Sequence, residues 1–287
     1  MKTKLRNHQW GIAMNTREKV IAALEKEKGA YVSGEALAKT CNVSRNAIWK
    51  SINELRKSGY PIESVNNRGY KLDKDSDIIS KAGICMYLQM SEEHEDADRF
   101  DRGEPVFSDN ATEKDPKNEC TGVIDPDRIH VYRELDSTNN EAKRNILFEN
   151  DRMLHGMVFV AMHQTAGRGH GGSSFSSPDG GIYFSMILEP DKMRENETPV
   201  TEMIADAVMI VLENSYHVIT KKMKDSSLYV GEEKVCGILT EGFSDLETGV
   251  FSNYIVGIGV RVRRLQALGN TAPQKNKVIA DIIRALI

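Results

Sequence analysis

The stretch His163–Ser177 gathers residue types that hold small polar ligands. Gly167, Gly169 and Gly172 fall at G-x-G-x-x-G spacing, enclose Arg168, and follow the amide of Gln164. A guanidinium flanked by residues without side chains can close on a ligand together with neighbouring backbone N–H groups. The same spacing matches the dinucleotide fingerprint, which needs a helix opening at the last glycine to face a pyrophosphate. Here Ser173–Pro178, two further glycines and the strand-like run Ile182–Leu188 follow instead, so that reading fails on context. What remains is a mobile glycine loop between two strands, Met157–Met162 and Ile182–Leu188. A long hairpin connection is the plainer account of it. Against that stands the number of glycines from Gly167 to Gly181, each of which costs conformational entropy on ordering.

The elements that must position this loop belong to a chain of 287 residues, 40% of them hydrophobic, enough for two cores. No apolar run approaches a membrane span and the first residues lack the apolar stretch of a signal peptide, so no membrane is expected. Cys41, Cys85, Cys120 and Cys236 are scattered without a C-x-x-C pair; no metal site is expected, and reduced thiols in cytoplasm are the default. The net charge of −4 hides an asymmetry. Residues 1–72 carry 14 Lys and Arg against 6 Asp and Glu, a balance of +8 that leaves −12 for the rest. A basic module on an acidic body points to a polyanion partner for the first part alone.

That basic part reads as three helices and a hairpin. Thr16–Lys28 places Val20, Ile21 and Leu24 on one face and ends at Gly29. Ser33 caps a short helix, Gly34–Thr40, and Ser44 caps a third that runs to about Lys57. The inner stripe of the third is Ala47, Ile48, Ile52 and Leu55, with Trp49 beside it as a core residue. Its outer face shows Arg45, Asn46, Lys50, Asn53 and Arg56. Ile62 and Val65, a turn at Asn66–Gly69, and Tyr70 with Leu72 complete a wing. This is a winged helix-turn-helix pattern, with Ser44, Arg45, Asn46 and Lys50 where such domains meet double-stranded DNA, and Arg68 at the wing tip for a phosphate or the minor groove. A solvated basic helix in a small packing domain is the alternative.

Asp77–Met90 could form a linking helix. Ser91–Glu119 follows with eleven acidic and four basic residues, too polar to offset the cost of ordering, and is expected to be disordered. The body opens with a strand at Ile129–Tyr132 and a helix at Asn140–Phe148. After Met157–Met162 and Ile182–Leu188, further strands are expected at Ser227–Val230, Lys234–Glu241 and Tyr254–Val260, with helices at Thr201–Tyr216 and Lys277–Ile287. The fold class is α+β, a mostly antiparallel mixed sheet with helices on one face. The domains divide as 1–76, a linker over 77–127, and 128–287.

Four motifs carry a resemblance: VSRNAIWKSINELRKSGY in the winged helix, DSTN at Asp136–Asn139, QTAGRG at Gln164–Gly169, and KVCGILTE at Lys234–Glu241. Together they resemble the biotin protein ligase family, specifically its bifunctional branch, which joins a winged helix to a class II synthetase-like ligase body and represses biotin-synthesis genes. The resemblance implies a biotin pocket lined by Ser137, Thr138, Gln164 and Arg168, with Gly167 and Gly169 in the loop and Gly237 and Ile238 as a wall. A cyclic urea offers two donors and one acceptor, which hydroxyls and an amide complement. It also implies a homodimer on a palindromic operator, with biotin carboxyl-carrier protein as acceptor if ligation occurs.

Departures from the family pattern accompany it. The loop arginines and tryptophan are replaced by His170, Gly171, Ser173 and Phe175, and Arg261 stands where the family has an asparagine. The family's KWPND lysine falls at Met223 in KKMKDSS, Lys221–Ser227, unless a one-residue slip offers Lys222 or Lys224. Relatives continue past the position of Ile287 into a small β-barrel. Losing one electrostatic contact in acyl adenylation costs about 2.7–4 kcal/mol, so ATP and magnesium chemistry should be impaired more than binding of biotin or a similar small carboxylic acid. The reading is a biotin-sensing repressor; an active bifunctional ligase, or a body turned to lipoate, are the alternatives.

Overall fold

A computed structural model describes residues 15–89, 125–148, 154–190, 193, 199–244, 249, 251–262 and 274–287. The expected disordered acidic stretch lies outside these residues. The chain divides into two compact units, Met1–Met86 and Tyr87–Ile287. Among the described residues no helix is long and apolar enough to cross a membrane.

In the first unit local signals act as written. Asn15 and Glu18 form a reciprocal capping box that opens α1, Thr16–Lys26, with Oδ1 of Asn15 accepting from the Glu18 amide at 3.0 Å. Ser33 and Ser44 accept from the amides of Ala36 and Ala47 at 3.0 and 3.2 Å, opening α2, Gly34–Cys41, and α3, Arg45–Lys57. Asn42, left-handed at φ 53°, turns the chain between them. Val20, Leu24, Leu37, Ile48, Ile52, Leu55 and Leu72 are fully buried together. Each such aliphatic side chain contributes about 1.5–3 kcal/mol when removed from water.

The wing pairs β1, Ile62–Val65, with β2, Gly69–Leu72, antiparallel in the register Ile62↔Leu72. Val32 adds a bridge to Tyr70, and the crossing is so close that a Cβ on Gly69 (φ +106°) would stand 2.1 Å from the Val32 carbonyl oxygen. Only glycine fits there.

Three expectations need correction here. Trp49 is not core but 63% exposed. The buried stripe of α3 is Ile48, Ser51, Ile52 and Leu55, an i, i+3, i+4, i+7 set completed by a serine, which turns position 49 outward. Arg56 is not an outer-face residue: it donates to the Ile62 carbonyl at 2.8 Å and to Ser64 Oγ at 2.9 Å, fastening α3 to the wing. The helix expected at Asp77–Met90 is described over 81–89 (α4), because Ser80 Oγ accepts from the Gly83 amide and starts it there.

The second unit is a seven-stranded mixed sheet with the order β3-β4-β5-β9-β8-β7-β6. Its strands are β3 (Ile129–Leu135), β4 (Val158–Gln164), β5 (Ile182–Leu188), β6 (Lys221–Lys222), β7 (Leu228–Val230), β8 (Glu233–Ser244) and β9 (Phe251–Val260). Among the described strands only β3 and β4 run parallel, and α5, Thr138–Phe148, makes the crossover between them. Helices α6, Val200–Tyr216, and α7, Lys275–Leu286, pack on each other. Every residue of β5 is buried, so the middle of the sheet is covered on both faces. β6 was not expected; two residues paired to β7 leave no periodicity to read.

Candidate functional site

Strand register places the small residues of the sheet in rows. Tyr183 on β5 pairs with Gly259 on β9, which pairs with Gly237 on β8; one step along, Ser185 pairs with Gly257, which pairs with Leu239. Directly opposed residues share a face, so three glycines form a hollow beside Tyr183 and Ser185. The hollow is filled from above. Cβ atoms at Gly237 and Gly259 would lie 2.6 and 2.3 Å from the Phe175 ring, and one at Gly257 would lie 2.3 Å from Asn139 Oδ1.

Phe175 arrives there on the glycine loop. It is hydrogen-bonded within itself: the Phe175 amide donates to the Gly167 carbonyl and the Gly169 amide to the Ser173 carbonyl, both at 2.8 Å. A Cβ on Gly167 would meet the Phe175 carbonyl oxygen at 2.5 Å, so the fold needs glycine at that approach. A single 3-10 turn, His170–Gly172, interrupts the loop and no α-helix follows it. His170 Nε2 lies 3.0 Å from the Ile238 carbonyl oxygen and tethers the loop to β8.

The start of α5 closes the opposite side. Gln164 Oε1 accepts from the Thr138 amide at 2.8 Å and from its hydroxyl at 3.2 Å, while Gln164 Nε2 donates to Ser177 Oγ at 2.8 Å. Fully buried Ser185 Oγ stands 2.7 Å from Thr138 Oγ1 and 2.5 Å from Asn139 Oδ1. Asn139 Nδ2 then donates to Glu241 at 2.7 Å, as does Lys143. Burial acts to raise the Glu241 carboxyl. Hydrogen bonds from Lys143 and Asn139, with the charges of Lys143 and Arg168, outweigh that and leave it below the usual carboxylate range. Outside this chain of bonds, Asp136 accepts from Arg144 at 2.7 Å and from Asn140 at 2.8 Å, and the Arg144 hydrogen bond is the main reason its carboxyl falls to about 2.

Between loop, α5 and the glycine rows lies a small cavity of about 40 Å³. Of the ligand residues expected from sequence, Ser137, Thr138, Gln164, Arg168, Gly169 and Gly237 line it, while Gly167 faces the outer side of the loop in a shallower cleft. The two replacement lysines, Lys222 and Lys224, do not come to the cavity. Lys222 Nζ pairs with Asp206 at 2.5 Å, and Lys224 is exposed in the turn after β6. Met223, at the family lysine's place, is 45% exposed. Sequence reasoning missed Lys234, which lines the cavity with Nζ 3.9 Å from Asp225, and also Asn139, Ser177, Gly257 and Gly259. The signal for the glycines was present: Gly257 and Gly259 alternate in a strand and so share a face. Cys236 is buried, which pushes its thiol up to about 12 and keeps it out of chemistry at neutral pH.

In the first unit Ser44, Arg45, Asn46, Lys50 and Arg68 are all exposed. Arg45 pairs with Glu35 of α2 at 2.5 Å, and the Arg68 guanidinium lies 4.4 Å from the centre of the Tyr31 ring.

Residues 16–71 match a family described as HTH domain, and residues 131–260 match the biotin/lipoate A/B protein ligase family. The chain is 27% identical over 265 residues to the bifunctional ligase/repressor BirA of Bacillus subtilis (strain 168), covering 92% of this chain and 69% of that one. Against its counterpart in Bacillus spizizenii it is 27% identical over 249 residues, 86% of this chain and 65% of the relative. It therefore spans about two thirds of the length of these relatives. A solved biotin protein ligase from Aquifex aeolicus, in complex with biotin and ATP, superposes with a TM-score of 0.45 at 24% identity, over 55% of this chain and 68% of that one. The chain thus joins a helix-turn-helix domain to a domain of the biotin/lipoate A/B protein ligase family, and is homologous to the bifunctional ligase/repressors.

Proposed function

We propose that the chain is a biotin-responsive, DNA-binding transcriptional repressor whose ligase-family domain mainly senses ligand in the cytoplasm. The observation that carries this reading is the contrast inside the cavity region. The groups suited to a cyclic urea, the Ser137 and Thr138 hydroxyls and the Gln164 amide, line the cavity, whereas Lys222 is paired with Asp206 and Lys224 is exposed in the turn after β6. The polar end can exchange its internal hydrogen bonds for bonds to a ureido ring, and a flat bicycle would take the place over the glycine rows that the Phe175 ring now fills. Arg168 and Lys234 are the cations facing the cavity, and either can meet a carboxylate.

Ligand would act by population shift, holding the loop over the cavity, favouring a homodimer and aligning two α3 helices on a palindromic operator. A ligand at ten times its dissociation constant adds roughly 1.4 kcal/mol to the bound form. A second reading has its own support. Lys234 lines the cavity and its ion pair with Asp225 is loose, so an active ligase would have a lysine available for the ligand's carboxylate. That reading requires ATP, magnesium and a biotin carboxyl-carrier protein as acceptor.

The deciding experiment combines biotin, ATP, magnesium and an acceptor domain with the full chain, beside a calorimetric titration of biotin alone. Binding without transfer is expected. Transfer at the rate of an ordinary ligase would overturn the sensor reading, and absence of both would point to another acid such as lipoate.

A further inference from the structure

Trp49 is the largest side chain that α3 presents to water. The helix buries Ile48, Ser51, Ile52 and Leu55, which leaves Trp49 between Arg45 and Asn46 one turn before it and Asn53 one turn after. It is 63% exposed, and among the described residues no aromatic ring or cation stacks on it. Its neighbours are polar or basic: Asn46 and Lys50 are exposed beside it, within a segment whose balance is +8. Arg45, the natural base reader at the start of the helix, is held by Glu35, and Arg56 is spent on the wing. The outward centre of α3 therefore displays an apolar plate flanked by Asn46 and Lys50, within a segment of net positive charge.

Resting on the DNA-binding reading, we infer that Trp49 is a specificity residue that packs its indole on a thymine methyl group in the major groove. The groove displays one apolar group, the C5 methyl of thymine, and its phosphates suit the surrounding cations. Asn46 beside it can pair with an adenine edge, so the two side chains together favour an A·T-containing half-site.

The test uses the full chain carrying Trp10→Phe, which leaves Trp49 as the sole indole of the two tryptophans. A duplex is first selected by this chain from a randomised pool. Its addition should shift the Trp49 emission to the blue. Trp49→Ala should weaken the selected duplex roughly five- to a hundredfold while leaving a scrambled duplex nearly unaffected. Replacing thymines by uracil one at a time, which removes only the methyl, should find a position that weakens the parent and leaves Trp49→Ala indifferent. Trp49→Phe should recover part of the loss, and unchanged melting of both variants secures the comparison.

Equal weakening on both duplexes, or no uracil position coupled to residue 49, overturns the inference while DNA binding stands. An emission already that of a buried indole in the free chain also overturns it, since another segment of the chain then covers the ring. If the parent selects no duplex, the DNA-binding reading fails and this inference fails with it.

Discussion

Two cationic segments of the ligase-family unit were expected at the site, Arg168 to hold ligand and Lys222 or Lys224 in place of the family lysine, and the fold treats them oppositely. Arg168 sits in a loop pinned by its own backbone bonds and by His170 to β8, and it lines the cavity. Lys222 sits on the two-residue strand β6 at the far edge of the sheet, and its ammonium is taken by Asp206. The lesson concerns position more than residue type. A lysine at a sheet edge finds the nearest carboxylate, whereas a cation on a loop folded over the sheet centre faces whatever the hollow holds.

Removing the loop cation should give the largest effect. Arg168→Ala is expected to lower biotin affinity by about 3 kcal/mol, more than a hundredfold, as a charge-assisted contact is lost where little else can replace it. Calorimetry reads this directly. A change under tenfold would mean that the loop acts by shape alone and would erase the contrast with the lysine tract.

Next come the glycine rows beneath the loop. Gly257→Ala pushes a methyl into Asn139, whose oxygen is held by Ser185 and whose amide is held by Glu241. Gly259→Ala meets only the Phe175 ring, which is half-buried and can swing aside. The first should destabilise by about 1–3 kcal/mol in denaturant unfolding, and the second by clearly less. Equal losses would show that Phe175 is as firmly held as Asn139.

The lysines sharpen the comparison further. Lys222→Ala should change neither biotin binding nor transfer and should cost under about 1 kcal/mol of stability, as a partly exposed ion pair does. Lys234→Ala should weaken binding of the carboxylate-bearing ligand several-fold. A phenotype for Lys222 and none for Lys234 would restore the slipped-motif assignment.

How much of this was legible depends on whether the determinant was local. Ser33 and Ser44 each cap the helix that their spacing predicts, and Gly167 and Arg168 lie in one loop because they are neighbours in sequence. The glycine hollow was not legible, because it exists only through the register that sets Gly237 opposite Gly259 and Ser185 opposite Gly257. Lys234 was hidden for a related reason: its motif was read for the glycine three residues on, while the lysine reaches the same cavity from the strand's first turnward residues. Trp49 was misplaced because a stripe through Ile48, Ile52 and Leu55 can be widened on either side. Packing chose Ser51, the smaller residue.

The smallest expected effect separates the entrance of α5 from the cavity behind it. The Arg144 hydrogen bond holds the Asp136 carboxyl at about 2, below its ordinary 3.8. A depressed carboxylate stabilises the fold above its unfolded value, and that contribution disappears as pH falls from 3.8 toward about 2. Asp136 and Arg144 are both more than a third exposed, so solvent screening keeps the pair's contribution under about 1 kcal/mol. Asp136→Asn, which keeps an acceptor oxygen but no charge, should therefore differ from the parent at neutral pH and converge with it in acid. Glu241 titrates in the same direction but is common to both proteins and cancels in the difference. High salt should also shrink the gap at neutral pH, since an exposed pair is screened. Denaturant midpoints of the two proteins across this range measure the effect, and a gap that persists at low pH would mean the asparagine disturbs packing at the start of α5 rather than an ion pair.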